Sequence, residues 1–324
     1  MSKDTIDIHL DNYNNCYNPG DTVIGRVECN YGCTKAIKGI VIKLKGTCTT
    51  SWTVAEEYYD ESTKAEKTKD VNYTGEENYF DEHYNISGKF NSTPGQHFYP
   101  FSYTLPEKLP PTFSKKIKNI IADIEYVIRA TINYTLMFPV TTSKQIVINS
   151  PLDLNLLPEV KKPIEISLDK ELCKYWCWCR DKDLITFKFT LPVSGYVSGE
   201  DVKIGGYVQN TTNVNVESIK FKIIRCMEFI ATTPSIETKK KKETVVTCCE
   251  SGIGAHDEKS WTSLLPLSLD ESFDDMTACN FINITYRLKA ELFLPFPHTN
   301  LIEVVPLIIG HVPLSNGNSN KFLL

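Results

Sequence analysis

The sequence has no apolar run approaching the ~20 residues that a membrane-spanning helix needs. The richest stretch, LIEVVPLIIGHVPL from Leu301 to Leu314, is broken by Glu303, Pro306, Gly310 and Pro313. No transmembrane segment is expected. The opening MSKDTIDIHLDNYN lacks the apolar centre of a secretory signal, so a cytoplasmic location is expected. The 11 cysteines are then expected to be mostly reduced thiols. An excess of one charge is also missing. Lys and Arg number 35 against 40 Asp and Glu, for a net charge of −5 with the two signs well mixed. No broad basic field exists to hold nucleic acid or an anionic membrane, and no nucleic acid is expected as a partner.

Catalytic spacings are absent as well. His9, His83, His97, His256, His298 and His311 are scattered, with no H-x-x-x-H or HExxH pair. There is no Gly-x-Ser-x-Gly elbow and no phosphate loop. The chain is not expected to be an enzyme. No catalytic residue, no metal site and no cofactor is assigned. The cysteine-rich run CKYWCWCR is weighed against zinc. Cys173 and Cys177 fit a paired-ligand spacing loosely, whereas Cys177 and Cys179, like the adjacent Cys248 and Cys249, fit poorly. As a strand, the run puts Cys173, Cys177 and Cys179 on one face and Trp176 and Trp178 on the other. Reduced strand thiols are the plainer reading.

What the sequence does have is period-two alternation. TIDIHL sets Ile6, Ile8 and Leu10 on one face, and GIVIKLKG sets Ile40, Ile42 and Leu44. ITFKFTL sets Ile185, Phe187, Phe189 and Leu191 against Thr186, Lys188 and Thr190. SIKFKII sets Ile219, Phe221 and Ile223 against Lys220 and Lys222. Each predicts a half-buried strand with one wet face. No long segment carries helical periodicity, and Asn, Gly and Pro punctuate the chain at short intervals. The predicted class is all-β, built from sandwiches rather than βαβ units.

The chain also repeats itself. YNPGDTVIGRVEC, from Tyr17 to Cys29, and YVSGEDVKIGGYVQN, from Tyr196 to Asn210, share the order Tyr-x-x-Gly-acid. Later, IEYVIRATI (Ile124 to Ile132) resembles ITYRLKAEL (Ile284 to Leu292), with Tyr126 matching Tyr286. The phrases keep their order in both halves, which predicts two tandem immunoglobulin-like β-sandwich domains, 1–155 and 156–324. NSPLDLNLLPEVKKP is read as the extended connector. In the repeated phrase, Gly supplies turn freedom, Asp21 or Glu200 caps turn amides, and the tyrosines pack their rings with the hydroxyl left wet. A structural role suits a phrase present twice. PFSYTLP places Phe101, Tyr103 and Leu105 on one face, again as core.

Two segments depart from the strand pattern. Thr53 to Asn85 holds ten acidic residues and three lysines among many tyrosines, and is expected to form a long, mobile hairpin loop. Thr233 to His256, with Lys239, Lys240, Lys241 and Lys242, is expected to be the corresponding loop of the second half. The four lysines are the candidate partner-binding residues, for phosphorylated tails, acidic peptides or anionic lipid headgroups. Glu237 and Glu243 weaken that field, and a solvated surface is the plainer reading.

YNPGDTVIGRVE followed by IKGIVIKLKG resembles the opening of an arrestin N-terminal domain. GQHFYPFSYTLPEKLPPTF, ending at Phe113, is similar to that family's run before its I-x-Y strand. GYVSGEDVKIGGYVQNTTNVNV and LIEVVPLIIGHVPL resemble the opening and closing strands of the C-terminal domain. The branch resembled is the α-arrestins, or arrestin-domain-containing proteins, rather than the visual arrestins. The resemblance implies two arrestin-like β-sandwiches and a non-enzymatic cytosolic adaptor. Such an adaptor binds membrane-protein cargo, receptors or transporters, and links it to endocytic, trafficking or ubiquitylation machinery. It implies a place in the cytoplasm, peripheral to the plasma membrane or endosomes. By position, the acidic Thr53 to Asn85 segment corresponds to the family's receptor-inserting finger loop, though its ten acids oppose insertion beside an anionic leaflet. A basic protein surface suits it better, and an inert loop is equally open. No Pro-Pro-x-Tyr motif occurs, so ligase recruitment by that route is not expected. Two alternatives stay open: a retromer-type trafficking scaffold of the same fold, and a thiol- or zinc-dependent protein.

Overall fold

The computed structural model describes residues 4–172, 184–269 and 275–315. The chain divides into two compact units. The first comprises Met1–Ser150 together with Glu228–Lys239 and Asp275–Asn283, and the second comprises the remaining segments.

In the first unit, β1 (Thr5–Leu10), β2 (Thr22–Tyr31) and β6 (Gly95–Thr104) form a three-stranded antiparallel sheet in the order β1-β2-β6. The second sheet is built on β3 (Ala36–Asp60), β4 (Ala65–Ser87), β7 (Phe113–Ile117) and β8 (Ile120–Tyr134), in the order β4-β3-β8-β7. The short β5 (Phe90–Asn91) pairs with β3, and β9 (Val140–Ile146) pairs with β8. Alternation fixes which side of each strand is buried. Ile40, Ile42 and Leu44 of β3 are buried with Ile124, Tyr126 and Ile128 of β8, and β2 contributes Val23 and Val27. Phe101 and Leu105 join this core, and Tyr103 is half-buried.

In the second unit, β10 (Ile164–Glu171), β11 (Leu184–Leu191), β13 (Asp201–Asn210) and β16 (Asp257–Pro266) form a four-stranded sheet in that order. Five more strands make the second sheet: β12 (Gly195–Val197), β14 (Val216–Ala231), β15 (Glu237–Ile253), β17 (Ile282–Phe293) and β18 (Leu301–Gly310), of which the last residues of β14 and the first of β15 and β17 count with the first unit. Their order is β12-β18-β17-β14-β15. Phe187 and Phe189 of β11 meet Phe221 of β14 at ring-centroid distances of 6.3 and 5.9 Å, the latter edge-on at 72°. This aromatic trio is buried at the middle of the core. The architecture is all-β, a tandem of sandwiches.

The repeated phrase folds the same way twice. Gly20 (φ 83°) and Gly199 (φ 93°) take the left-handed conformation that glycine alone adopts cheaply. The Asn18 N–H donates to Asp21 Oδ2 at 2.7 Å, and the Val197 N–H to Glu200 Oε2 at 2.9 Å. Each acid thus caps the turn's first amide. One reading needs correction: the tyrosine hydroxyls are not left wet. Tyr17 and Tyr196 are both buried. Tyr17 donates to Asn12 Oδ1 at 2.9 Å, and Tyr196 to the Val193 carbonyl at 3.1 Å. Burial pushes the Tyr17 phenol up to about 12.

Candidate partner-binding surfaces

The four candidate lysines lie in a strand, not in the loop expected from their polarity. β15 runs through them, and Thr238, Thr244, Val245 and Val246 around them favour extended backbone. Period two then divides the lysines. Lys239 and Lys241 are half-buried on one face, and Lys240 and Lys242 are exposed on the other. Glu243 continues the half-buried face, where its carboxylate accepts two hydrogen bonds from the Arg225 guanidinium, from Nε at 3.1 Å and from Nη2 at 2.5 Å. The lysines are therefore not one patch but two pairs, each pointing its own way. β15 is also the edge strand of its sheet. Lysine on an edge strand deters further strand pairing, which supplies a structural reason for the run without any ligand.

The acidic segment is ordered too. Thr53 to Asn85 does form a hairpin, but its arms are paired strand rather than loop, without a break from Thr47↔Asn78 to Asp60↔Ala65. The sequence conceals this because neither face there is apolar. Local cross-strand pairs hold it instead. Trp52 stacks on Tyr73 at 6.0 Å with rings 9° from parallel. Thr53 donates to Asn72 Oδ1 at 2.8 Å, Tyr73 donates to Glu56 at 2.7 Å, and Lys67 pairs with Asp60. The tip turns through Lys64 at φ 51°, with the Ser62 N–H donating to Asp60 Oδ1 at 2.9 Å. Lys67 beside it holds the Asp60 carboxyl below the usual carboxylate range. An open cleft of about 460 Å³ runs along Glu56, Glu57, Tyr58, Lys69 and Val71. Exposed tyrosines among carboxylates suit a basic peptide surface.

A third cluster was not legible in the sequence. Cys48 of β3 and Cys279, 231 positions later, bring their Sγ atoms to 3.7 Å inside the first unit. Both are buried. The Ile282 N–H donates to the Cys279 sulfur at 3.3 Å, and Asn280 binds the Glu77 carboxylate alongside. Hydrogen bonding by the Cys48 thiol lowers the Cys279 pKa, outweighing burial, while Cys48 is raised by the same contact and by burial. Tyr126 closes the cluster, its hydroxyl donating to the Pro110 carbonyl at 2.6 Å. The run holding Cys173, Cys177 and Cys179 lies outside the described residues. Among the described residues, no three His, Cys, Asp or Glu side chains are placed to hold a metal ion together.

Residues 6–155 match the family model for "Arrestin (or S-antigen), N-terminal domain". Residues 181–314 match "Arrestin (or S-antigen), C-terminal domain". Arrestin domain-containing protein 1 of Rattus norvegicus is 22% identical over 302 residues, which cover 92% of this chain and 62% of that protein. Arrestin domain-containing protein 4 of Mus musculus is 23% identical over 303 residues, covering 93% of this chain and 70% of that protein. Arrestin domain-containing protein 17 of Caenorhabditis elegans is 23% identical over 327 residues, covering 96% and 71%. The chain thus spans under two thirds of the length of the rat relative.

Proposed function

The chain belongs to the arrestin family, and from that premise we propose that it is an adaptor for membrane-protein cargo. In this reading it binds the cytosolic tails of receptors or transporters and links them to endocytic, trafficking or ubiquitylation machinery. The family is one of non-enzymatic adaptors. The observation that carries the proposal is the pair of arrestin domain matches, in family order, at residues 6–155 and 181–314. We propose residues 1–155 and 156–324 as the corresponding functional division.

The mechanism is binding, with rigid sheets presenting charged and aromatic surfaces to a cargo tail. We assign Lys239, Lys240, Lys241 and Lys242 as a partner contact. Lys240 and Lys242, on the exposed face of β15, are the ones that meet a phosphorylated or acidic tail. The acidic hairpin tip takes the opposite charge, a basic surface on a trafficking protein. The protein then works at the cytoplasmic face of the plasma membrane or endosomes.

Affinity capture of the tagged chain from its own cells, read by mass spectrometry, tests this. The expected eluate is enriched in integral membrane proteins with cytosolic tails. The Lys239→Ala, Lys240→Ala, Lys241→Ala, Lys242→Ala variant is expected to lose a subset of them. A constant set of soluble coat subunits, co-eluting stoichiometrically on size exclusion, would replace the cargo reading with that of a retromer-type scaffold.

A further inference from the structure

The connection between β8 and β9 carries three consecutive apolar side chains into solvent. Leu136 is 93% exposed, Met137 55% and Phe138 93%. Scattered apolar residues on a surface need no explanation, but three in a row at a hairpin tip do. The loop is not a loose end. The Thr135 N–H donates to the Ala36 carbonyl at 3.0 Å, and Tyr134, immediately before it, is buried and donates to Asp4 Oδ2 at 2.6 Å. The tip therefore stands on a fixed base.

The charges around that base are lopsided. Lys38 is the unpaired residue of the irregularity between Ile37↔Tyr134 and Gly39↔Asn133, beside the loop's origin, and it is exposed. Lys89 precedes Phe90, which pairs with Ile37, and it is exposed too. Lys35 lies on the same side, 5.7 Å over the Tyr134 ring. The carboxylate beside them, Asp4, is 5% exposed and already held by Lys35 at 2.8 Å. The opposite end of β3 is the acidic hairpin tip around Asp60. One end of this strand is apolar and ringed with lysine, and the other is acidic.

We propose that the Leu136–Phe138 tip inserts into an anionic lipid bilayer, with Lys38 and Lys89 resting on its headgroups. The shape favours lipid over a protein pocket. A convex tip of bare apolar side chains needs no complementary cavity in hydrocarbon, and lysines flanking it match an anionic leaflet. The acidic end of β3 is then directed away from the surface that would repel it. This site is separate from Lys239–Lys242, and it does not depend on the cargo reading, since a lipid vesicle contains no protein.

The test uses the full chain and protein-free vesicles of phosphatidylcholine, with and without about a quarter phosphatidylserine. Binding to the anionic vesicles is expected, and it weakens with salt. The Leu136→Ser, Met137→Ser, Phe138→Ser variant is expected to bind about tenfold more weakly or worse, because the inserted apolar area is gone. Its substitutions lie at exposed positions, so an unchanged unfolding transition shows that the fold is intact. The Lys38→Glu, Lys89→Glu variant is expected to lose the preference for phosphatidylserine. Phe138→Trp is expected to shift its emission to the blue and to be quenched by bromine-labelled acyl chains, measured against the wild-type protein. Undiminished vesicle binding in the serine variant, or no change in the Phe138→Trp emission, would overturn the proposal. Binding only to vesicles that carry native membrane proteins would assign the tip to a protein pocket instead.

Discussion

Replacing Asp4 with Asn should cost more stability than any exposed substitution in the protein. Asp4 is buried at the start of the chain, and its two oxygens collect three donors. Lys35 Nζ reaches Oδ2 at 2.8 Å, the Tyr134 hydroxyl reaches the same oxygen at 2.6 Å, and the Gly32 N–H reaches Oδ1 at 3.0 Å. Asn keeps the shape but removes the charge, and it turns an amide group toward donors that need an acceptor. Breaking one side of a buried ion pair costs about 3–5 kcal/mol. The Lys35 side chain is 20% exposed, so water recovers part of that loss and the expected cost is toward 3 kcal/mol. The pH dependence follows from the carboxyl's folded state. Burial alone would raise its pKa, but the bonds from Lys35, Tyr134 and Gly32 outweigh burial and hold it below the usual value. A depressed folded pKa contributes stability that is present above the unfolded value and is lost as pH falls through the folded one. The gap between wild type and Asp4→Asn should therefore be full at neutral pH and close on acidification. Chemical denaturation across pH measures it, and hydrogen exchange of the Thr5–Leu10 and Ile120–Tyr134 peptides localises it. A gap under about 0.5 kcal/mol at neutral pH, or one that persists into acid, would refute the reasoning.

A Cβ at Gly252 would stand 1.8 Å from the Val216 carbonyl oxygen, where only backbone could give way, so Gly252→Ala should cost about 3 kcal/mol or more. Gly88→Ala, with nothing within 4 Å, is the near-neutral control in the same melting experiment. Tyr126→Phe leaves the buried Pro110 carbonyl without its donor and should lose about 1–2 kcal/mol in urea unfolding. Hydrogen peroxide should join Cys48 to Cys279, two thiols yielding a disulfide while the peroxide becomes two waters. A peptide map without reductant checks this, and exclusive oxidation of the exposed Cys249 would contradict it.

The half-buried strands were legible because one face must be apolar. Ile185, Phe187, Phe189 and Leu191 are buried in strict alternation, as are Ile219, Phe221 and Ile223. The repeated turn was legible because its geometry demands Gly and an acid at fixed places. The strand pairing of segments with two polar faces was not. Between Thr53 and Asn85 the pairing rests on Trp52–Tyr73 stacking and side-chain hydrogen bonds, which leave no periodic apolar signal. The lysine run of β15 hid its strand for the same reason. The packing of Glu228–Lys239 and Asp275–Asn283 with the first unit is written in no local pattern, so the Cys48–Cys279 contact could not be anticipated. The Leu136–Phe138 tip is three ordinary apolar letters until the fold shows them exposed among the described residues.

The most direct test of the cargo-adaptor claim is proximity labelling in living cells, with a biotin ligase fused to the chain and the labelled proteins identified by mass spectrometry. The account predicts strong labelling of receptors or transporters on their cytosolic tails, together with endocytic or ubiquitylation proteins. Labelling confined to soluble coat subunits or to bulk cytosolic proteins, with no membrane protein enriched over a free-ligase control, would contradict it.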